Sequence, residues 1–220
     1  MDKPNPTPAR GRFIVLEGID GCGKTTQIEA LRQWLLTSGL LPPGARVVVS
    51  REPGGTALGQ ALRELLLHPP GGAAPVPRAE PLLYAADRAQ HVETVLRPAL
   101  ERGNWVLCDR FTGSTAAYQG YGRGWDAPLL RTLETLTTNG LQADLTLWLD
   151  ASLIESCRRR GDQLADRIEG QGVAFLGRVA DGFERLAAQR GWTRINADLP
   201  VDAVTMACCR AMISTFWGRA

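Results

Sequence analysis

Lysine and histidine are nearly absent from this 220-residue sequence. Its 25 basic residues include only two lysines, Lys3 and Lys24, and there are two histidines, His68 and His91. Against 23 acidic residues the formal net charge is +2, which is too small to favour a general nucleic-acid or membrane-surface binder. His68 falls in a loop rich in proline and glycine, and His91 follows one helical turn after Arg88. Neither histidine is a convincing catalytic base.

Long apolar runs and paired cysteines are also lacking. No apolar stretch approaches the roughly 18 residues that a membrane-spanning helix needs. The polar segment 1–11 has no apolar signal core, so we expect a flexible N-terminal tail followed by a single domain over residues 12–220. The cysteines show neither metal-ligand spacing nor an even set for disulfides, which favours a reduced, cytoplasmic setting. They are Cys22, Cys108, Cys157, Cys208 and Cys209.

The rare lysine Lys24 lies in the segment Gly18–Thr25, GIDGCGKT, which matches the phosphate-loop pattern G-x-x-x-x-G-K-[ST]. Its glycines allow the backbone to curl so that successive N–H groups point at an anion. A helix that begins near Lys24 adds the positive end of its dipole, and the compact ammonium suits the oxygens between two phosphates. The residues predicted to bind a nucleoside triphosphate are Gly18, Ile19, Asp20, Gly21, Cys22, Gly23, Lys24, Thr25 and Thr26.

Strand and helix patterns alternate along the chain. Apolar runs predict strands at residues 13–16, 46–50, 105–108, 145–149 and 192–195. Helical spacing predicts helices at residues 25–38, 56–67, 80–102 with a kink at Pro98, 127–138, 153–160, 173–190 and 201–216. Continuous apolar strands separated by helices are typical of a parallel sheet covered on both faces. The sequence therefore predicts an α/β protein of three layers with a five-stranded parallel sheet.

Charged residues follow the second and third predicted strands. Ligands of open parallel sheets bind outside the carboxyl ends of the strands, where Arg51 and Arg110 would face one crevice. Either arginine alone fits a solvated charge equally well, but the pair beside a phosphate loop favours capture of a second anion. Asp109 is placed to reach a magnesium ion on the nucleotide, with Thr25 as a second ligand. Capping of the next turn is the alternative for Asp109, and a helix N-cap is the favoured role of Asp150.

A basic segment follows the fourth strand. Its four arginines lie between Arg158 and Arg167, and glycines interrupt and follow them. This composition suits a mobile lid, about residues 158–172, that closes over phosphates. Because successive helix positions are turned by about 100°, Arg158, Arg159 and Arg160 cannot all face one ligand. A solvated basic helix end is the alternative.

Together these segments resemble the bacterial thymidylate kinase family, over nearly everything from Arg12 to the last helix. The resemblance is carried by residues 13–26, 51–56, 85–92, 109–111, 114, 117–120 and 166–169, which read FIVLEGIDGCGKTT, REPGGT, AADRAQHV, DRF, S, AYQG and DRIE. It implies a P-loop kinase fold and transfer of the γ-phosphoryl group of ATP to dTMP, giving dTDP for dTTP synthesis. It also implies a homodimer packed through long helices such as residues 80–102, although an apolar face on such a helix is equally well buried inside the protomer. A P-loop kinase of a different nucleoside monophosphate is the nearest alternative.

The resemblance also implies an acceptor site. In it Arg51 and Arg110 hold the dTMP phosphate. Arg88 donates a hydrogen bond to the thymine carbonyl, and Tyr84 stacks on the base. Asp20 meets the 3′-hydroxyl, Tyr118 packs where a 2′-hydroxyl would lie, and Gln119 lines the base pocket. The full implied set is Asp20, Arg51, Tyr84, Arg88, Arg110, Ser114, Tyr118 and Gln119.

The catalytic and metal-binding residues follow from the same resemblance. Members of this family take an extra catalytic arginine from the phosphate loop or from the lid, and no variable loop position is basic here. The chain therefore looks like the lid-arginine type. The implied catalytic residues are Lys24, Asp109, Arg110, Arg160 and Arg167, and the implied Mg²⁺ ligands are Thr25 and Asp109.

Two positions depart from the family pattern. Tyr84 stands where phenylalanine is usual, which adds a hydroxyl that needs a partner. Cys22 occupies a loop position often held by alanine. Because it lies near a helix N-terminus, we expect its thiol to be acidified and reactive.

A nucleotide-dependent switch protein is the alternative from another class. Guanine-specific switches carry the motif N-K-x-D, and no asparagine in this sequence precedes a lysine. The sequence therefore argues against such a switch, and an inactive relative that only binds nucleotides stays open.

Overall fold

The computed structural model describes residues 10–161 and 167–217, in which strands and helices alternate. The strands are β1 Phe13–Glu17, β2 Val47–Arg51, β3 Trp105–Asp109, β4 Leu145–Asp150 and β5 Thr193–Asn196. They pair in parallel in the order β2-β3-β1-β4-β5. The predicted five-stranded parallel sheet is confirmed, and every predicted strand end lies within one residue of the observed end.

Helices cover both faces of the sheet, as predicted. They are α1 Lys24–Thr37, α2 Ala57–Leu67, α3 Ala79–His91, α4 Arg97–Glu101, α5 Thr112–Thr115, α6 Ala127–Thr138, α7 Leu153–Arg160, α8 Val173–Arg190 and α9 Val201–Phe216. Short 3-10 turns occupy Pro70–Gly72 and Glu169–Gln171, and π-helical turns occupy Val92–Leu96 and Ala116–Gly122.

The segment predicted as one helix over residues 80–102 consists of α3, a π turn and α4. The irregularity therefore falls before Pro98 rather than at it. Within the π turn the Arg97 N–H donates to the carbonyl of Val92, five residues back. Proline has no N–H to continue the α-helical pattern, and the wider turn accommodates this loss.

The sequence pattern does not predict α5 or the π turn Ala116–Gly122. Their sequence, TGSTAAYQGYG, contains three glycines and no apolar stripe of helical period. Packing supplies what the pattern lacks, because α8 lies along the π turn and Ala117 and Tyr118 are buried in the core. Tertiary contacts rather than local propensity form this helix.

The central strand β1 is buried along its whole length. Phe13 and Val15 join a cluster built on the π turn Val92–Leu96 and α4. Ile14 and Leu16 point to the other face, into the larger cluster of α1, α8 and α9. Burial on both faces explains why the strand reads as a continuous apolar run.

The register of the sheet brings three strand ends side by side. Leu16 of β1 and Arg51 of β2 are both opposite Asp109 of β3. The phosphate loop begins directly after β1, so Asp109 lies between this loop and Arg51 at the carboxyl edge of the sheet. This edge is where the candidate site forms.

The predicted tail, residues 1–11, falls mostly outside the described residues, and so do residues 162–166 of the predicted lid. Arg10 and Gly11 are described. Arg10 Nη1 donates to Asp144 Oδ1 at 2.9 Å, and the Gly11 N–H donates to the Leu100 carbonyl at 2.8 Å. Among the described helices, none combines the length and the apolar character that a membrane crossing requires.

Candidate active site

The loop between β1 and α1 closes around the ammonium group of Lys24. This side chain is 6% exposed, and its Nζ donates to the carbonyl oxygens of Gly18 at 3.1 Å and Ile19 at 3.0 Å. Nζ also contacts Cys22 Sγ at 3.6 Å. The lysine therefore holds the loop in its curled form, with a positive charge at its centre.

Gly21 is the point at which this loop contacts α7. Its φ is 80°, in the left-handed region, and a Cβ there would lie 2.6 Å from the Ser156 carbonyl oxygen. Ser156 Oγ also donates to the Asp20 carbonyl at 2.5 Å. Helix α7, whose last residues begin the predicted lid, is thus docked directly on the phosphate loop.

Arg110 connects the phosphate loop with α5 and the π turn after it. Its Nη2 donates to Asp20 Oδ1 at 2.5 Å, and its Nη1 donates to Ser114 Oγ at 2.8 Å and to the Gly18 carbonyl at 3.0 Å. The guanidinium carbon lies 5.1 Å from the centre of the Tyr118 ring. Arg110 has a φ of 70°, which costs on the order of 1 kcal/mol or more in a non-glycine residue. These contacts stabilise the unusual backbone.

Asp20 is held as a carboxylate. Burial raises the pKa of Asp20, but the charges of Arg110 and Lys24 outweigh burial and hold this pKa well below its usual range. The Tyr118 hydroxyl donates to Asp20 Oδ2 at 2.9 Å. Asp20, Arg110 and Tyr118 therefore form one hydrogen-bonded group beside the loop.

Glu17, at the end of β1, is a buried acid that the sequence pattern does not single out. Its Oε1 accepts from the N–H groups of Phe111 at 2.9 Å and Ser114 at 3.0 Å, and its Oε2 accepts from the Ser114 hydroxyl at 2.6 Å. Burial raises the pKa of Glu17 by more than these bonds and Arg110 lower it. Because Ser114 Oγ also accepts from Arg110, Glu17 orients the serine that supports this arginine.

Arg88 lies in a buried polar chain. Its Nε donates to Glu52 Oε2 at 2.8 Å, and its Nη2 donates to Thr115 Oγ1 at 2.8 Å. Glu52 Oε1 is 2.9 Å from His91 Nδ1, and His91 Nε2 is 2.6 Å from Ser50 Oγ. His91 is therefore a buried residue that orients Glu52. The chain fixes the guanidinium and leaves Arg88 Nη1 without a protein partner among the described residues.

Arg51, Arg63 and Arg110 concentrate positive charge beside the loop. The structure gives Arg51 no ion pair within the described part of the chain. Burial, together with the charges of Arg51 and Arg110, lowers the pKa of Arg63, whose Nη1 donates to the Pro53 carbonyl at 3.2 Å. Arginine stays protonated in proteins, so repulsion among these cations favours an anion between them.

Asp109 Oδ1 is buried and has no hydrogen-bond partner among the described residues. A buried carboxylate oxygen without a donor is unfavourable unless a cation reaches it. Asp109 and Thr25 line the same cavity. The described residues contain no group of three or more His, Cys, Asp or Glu side chains suited to a metal ion, so a cation at Asp109 would need ligands of other kinds.

Asp150 does not cap α7, contrary to the expectation from sequence. The N-cap is Ser152, whose side chain accepts from the Glu155 N–H. Asp150 Oδ2 instead accepts from Arg194 Nε at 2.7 Å. The strand ends two residues before the cap, which leaves Asp150 facing its neighbour on β5.

The arginines of the predicted lid point in different directions. Arg159 and Arg160 line the cavity beside the phosphate loop. Arg158 is exposed and pairs with Glu155. Arg167 donates through Nη2 to Glu80 Oε2 at 2.6 Å, away from the other lid arginines. The prediction that three consecutive arginines cannot share one ligand agrees with this geometry.

One cavity of about 570 Å³ joins these groups, a volume typical of small-molecule sites. Its lining includes the phosphate loop and the end of α7, the side chains of Tyr84, Arg88 and Gln119, and the arginine cluster with Asp109.

Comparison with known proteins identifies the family of this chain. The sequence model of the family described as Thymidylate kinase matches residues 16–207. A thymidylate kinase of Synechococcus sp. (strain CC9605) is 61% identical over 202 residues, which cover 92% of this chain and 97% of that protein. Another, from Synechococcus sp. (strain RCC307), is 63% identical over 195 residues, 89% of this chain and 92% of that protein. The chain belongs to the thymidylate kinase family.

A solved structure agrees with this assignment. The crystal structure of thymidylate kinase from Ehrlichia chaffeensis matches with a TM-score of 0.73 at 31% sequence identity, over 92% of this chain and 98% of that chain. The predicted family and the predicted P-loop kinase fold are therefore confirmed.

Most of the site residues implied by the thymidylate kinase family line the one cavity. They are Asp20, Gly21, Gly23, Lys24, Thr25, Thr26, Arg51, Tyr84, Arg88, Asp109, Arg110, Ser114, Tyr118, Gln119 and Arg160. Gly18, Ile19 and Cys22 are buried in the loop, and Arg167 contacts Glu80. The role of each residue stays a prediction.

The sequence pattern does not single out Arg63 or Glu17 as site residues. The position of Arg63 on α2 could have indicated its role. Arg63 lies four residues after Gly59, and Gly59 packs against Asp87 of α3. Helical spacing after the REPGGT segment therefore turns Arg63 toward the cavity. Glu17 follows an apolar run and carries no comparable signal.

The expectation of an acidified, reactive Cys22 is wrong. The residue is 1% exposed, and burial raises the pKa of its thiol more than the charges of Lys24 and Arg110 lower it. A Cβ on Gly18 would lie 2.9 Å from Cys22 Sγ, so the thiol fills the interior of the loop. Desolvation outweighs the helix terminus here.

We expect iodoacetamide to modify the exposed Cys157 well before Cys22 in the folded protein. Burial excludes the reagent from Cys22 and keeps its thiolate scarce. Peptide mass spectrometry after short exposures measures both sites. In a Cys157→Ser variant the early modification should vanish, and early labelling of Cys22 would contradict the buried placement.

Proposed function

We propose that the protein transfers the γ-phosphoryl group of ATP to dTMP, giving dTDP and ADP for the synthesis of dTTP. The observation that carries this proposal is one cavity lined both by the phosphate loop and by the buried Arg88 chain. The cationic cluster that lines the same cavity suits phosphate groups that must meet there. Membership of the thymidylate kinase family supports the choice of acceptor.

The donor nucleotide binds to residues 18–26. Lys24 and the N-terminus of α1 supply positive charge to the phosphates of ATP, and Thr25 and Thr26 supply hydroxyl groups. When ATP binds, Lys24 Nζ keeps part of its hydrogen bonding to the carbonyls of Gly18 and Ile19, because the ammonium group has three protons to donate. Arg160, which lines the cavity beside Arg159, is the lid arginine that we assign to the transferred group.

The acceptor binds in the part of the cavity lined by Tyr84, Arg88 and Gln119. Arg51, Arg63 and Arg110 hold its phosphate, and Arg63 is an addition to the residues implied by sequence. Arg88 meets the thymine carbonyl through Nη1, and Tyr84 stacks on the base. The remaining acceptor contacts come from Asp20, Ser114, Tyr118 and Gln119.

The residues present fit a magnesium ion. Asp109 Oδ1 is buried without a donor, and the Thr25 hydroxyl lines the same cavity. Both are the oxygen ligands that Mg²⁺ prefers, and the ion takes its other ligands from phosphates and water. When bound, Mg²⁺ neutralises negative charge on the transferring phosphates.

Catalysis at this site consists mainly of charge neutralisation and alignment. The second pKa of a phosphate monoester is near 6, so the acceptor is already an anionic nucleophile and needs no general base. Two unit charges about 4 Å apart repel by roughly 4 kcal/mol at an effective dielectric of 20. Lys24, Arg110 and Arg160 offset this repulsion and hold the reacting groups in line. Arg167, also implied as catalytic, donates to Glu80 in this structure.

We further propose that residues 12–220 form one domain with a lid of about residues 158–172, and that the protein is a cytoplasmic homodimer. The buried free thiols of Cys22, Cys108 and Cys208 suit a reducing compartment. Exposed leucines on α2 and α3, among them Leu58, Leu65 and Leu82, support a helix-mediated dimer. Sedimentation equilibrium tests the assembly, and a monomer at micromolar concentration would reject it.

The proposed function is tested by the release of ADP from ATP and Mg²⁺ in the presence of each common nucleoside monophosphate. We expect the largest kcat/KM for dTMP. A larger value for another monophosphate would favour the alternative of a different nucleoside monophosphate kinase. Absence of turnover with all of them, but with binding retained, would indicate an inactive relative.

Replacement of Arg88 by alanine is expected to raise the KM for dTMP about 10- to 100-fold, with the KM for ATP changed less than about 2-fold. The reason is the loss of a charge-assisted hydrogen bond to the base, which contributes about 1.5–3 kcal/mol. Steady-state kinetics with each substrate varied in turn measures the effect. Arg185→Ala, which removes an exposed arginine on α8, is the control. Equal losses for both substrates would argue against base recognition by Arg88.

A further inference from the structure

Glu80 is a buried carboxylate to which neither the family resemblance nor the proposed function gives a role. It lies in the first turn of α3, and its side chain is 1% exposed. Oε1 accepts from Gln119 Nε2 at 3.0 Å and from Arg123 Nε at 2.5 Å, and Oε2 accepts from Arg167 Nη2 at 2.6 Å. Burial raises the pKa of Glu80, but these three hydrogen bonds outweigh burial and leave it below its ordinary value. One ionised acid on α3 therefore joins the π turn, which supplies Gln119 and is capped by Arg123, to the lid residue Arg167.

The contact with Arg167 fixes the part of the lid that follows residue 166. Besides its bond to Glu80, Arg167 donates through Nε to the Leu66 carbonyl at 2.7 Å, at the end of α2. The next residue, Ile168, is 4% exposed and lines the cavity together with Leu67. Through Arg167, Glu80 thus holds an apolar lid residue against the cavity wall.

The contact with Gln119 fixes the orientation of an amide. Gln119 is 2% exposed and lines the end of the cavity where the base is proposed to bind. An ionised carboxylate only accepts hydrogen bonds, so Glu80 draws the NH₂ group of Gln119 toward itself. The carbonyl oxygen of the amide is then turned away from Glu80, and one of the two amide orientations is selected.

We propose that Glu80 is a positioning residue that couples the lid to the acceptor-base pocket, because it orients Gln119 and holds the Arg167–Ile168 segment over the same pocket. This inference rests on the proposed function, since it assumes that the base of the acceptor occupies this end of the cavity. The guanidinium of Arg123 pairs with Glu80 and also lies 5.4 Å from the Phe175 ring centre. Arg123 therefore keeps the Glu80 carboxylate charged when its contact with Arg167 is released. Arg167 then influences binding of the acceptor even when ATP is absent.

The test is the dissociation constant of dTMP in the absence of ATP, measured by isothermal titration calorimetry for the wild type, Glu80→Gln, Arg167→Gln and the double variant. We expect each single change to weaken dTMP binding about 10-fold, and the double variant to bind no more weakly than the weaker single variant. An arginine that acts only on the γ-phosphoryl group leaves this constant unchanged. Unchanged affinity in folded Glu80→Gln, or losses that add in the double variant, overturns the proposal.

A matched control and a safeguard against misfolding complete the design. Glu134→Gln breaks a more exposed ion pair with Arg190, at 3.0 Å between α6 and α8, and should leave dTMP affinity unchanged. If Glu80→Gln does not fold by circular dichroism, Arg167→Gln decides alone, because it leaves Arg123 to pair with Glu80. If the wild type binds a different monophosphate in place of dTMP, the proposed function fails, and the same cycle with that nucleotide still tests Glu80.

Discussion

Lys24→Ala lowers kcat by an expected 100- to 1,000-fold or more, the loss typical of removing one preorganised positive group that acts on a transition-state oxyanion. Lys24 is the single side chain that places an ammonium at the centre of the phosphate loop. The change removes none of the apolar core residues, so the far-ultraviolet circular dichroism spectrum should stay that of the wild type. Single-turnover measurement of dTDP formation at saturating ATP and dTMP gives the comparison.

The two lysines of the sequence provide a matched control for this experiment. Lys3→Ala removes the same charge outside the motif and should leave kcat unchanged. Lys24→Arg keeps the charge but replaces a compact ammonium with a planar fork, so we expect it to remain below about a tenth of wild-type turnover. A Lys24→Ala enzyme with near-normal kcat would contradict the assignment of the loop.

Arg110→Ala is expected to lower kcat/KM for dTMP about 1,000-fold and to destabilise the fold. Arg110 is proposed to hold the acceptor phosphate, and it also pairs with Asp20, whose side chain is 31% exposed. Removing it leaves this carboxylate without its main counter-charge, at a cost of about 2 kcal/mol, below the 3–5 kcal/mol of a fully buried pair. Steady-state kinetics and urea denaturation measure the two effects.

The pair Arg194–Asp150 serves as the control for this variant. Arg194 is 67% exposed, and Arg194→Ala should change stability by less than about 0.5 kcal/mol and leave kcat/KM unchanged. An Arg110→Ala enzyme that loses stability but keeps its affinity for dTMP would assign to Arg110 a structural role alone. Arg110→Lys separates charge from geometry, because lysine cannot reproduce the fork that reaches Asp20, Ser114 and Gly18 together.

The sheet and the phosphate loop were predictable because their signals are local. Buried parallel strands read as continuous apolar runs, and the glycine spacing before Lys24 specifies both a backbone shape and a charge. The rule that ligands bind at the carboxyl edge of a sheet then selects Arg51, Asp109 and Arg110, which the observed register brings side by side.

The rest of the site depends on contacts between distant segments. Glu80 meets Arg167 across 87 positions in the sequence, and Glu17 meets Ser114 across 97. No periodicity or spacing encodes such pairs. Cys22 illustrates the same limit, since its neighbours in the sequence indicate an acidified thiol, and only its burial beneath the loop reverses the direction of the pKa shift.

The close approach of Gly21 to Ser156 restricts where an enzyme with this fold can carry its additional catalytic arginine. A side chain at position 21 collides with the backbone of α7, so a guanidinium carried by the loop at that position and the present seating of α7 are mutually exclusive. A side chain at position 21 and α7 in its present position would occupy the same space. A change from a lid arginine to a loop arginine therefore requires α7 to move away at the same time. A single substitution at position 21 does not achieve this change.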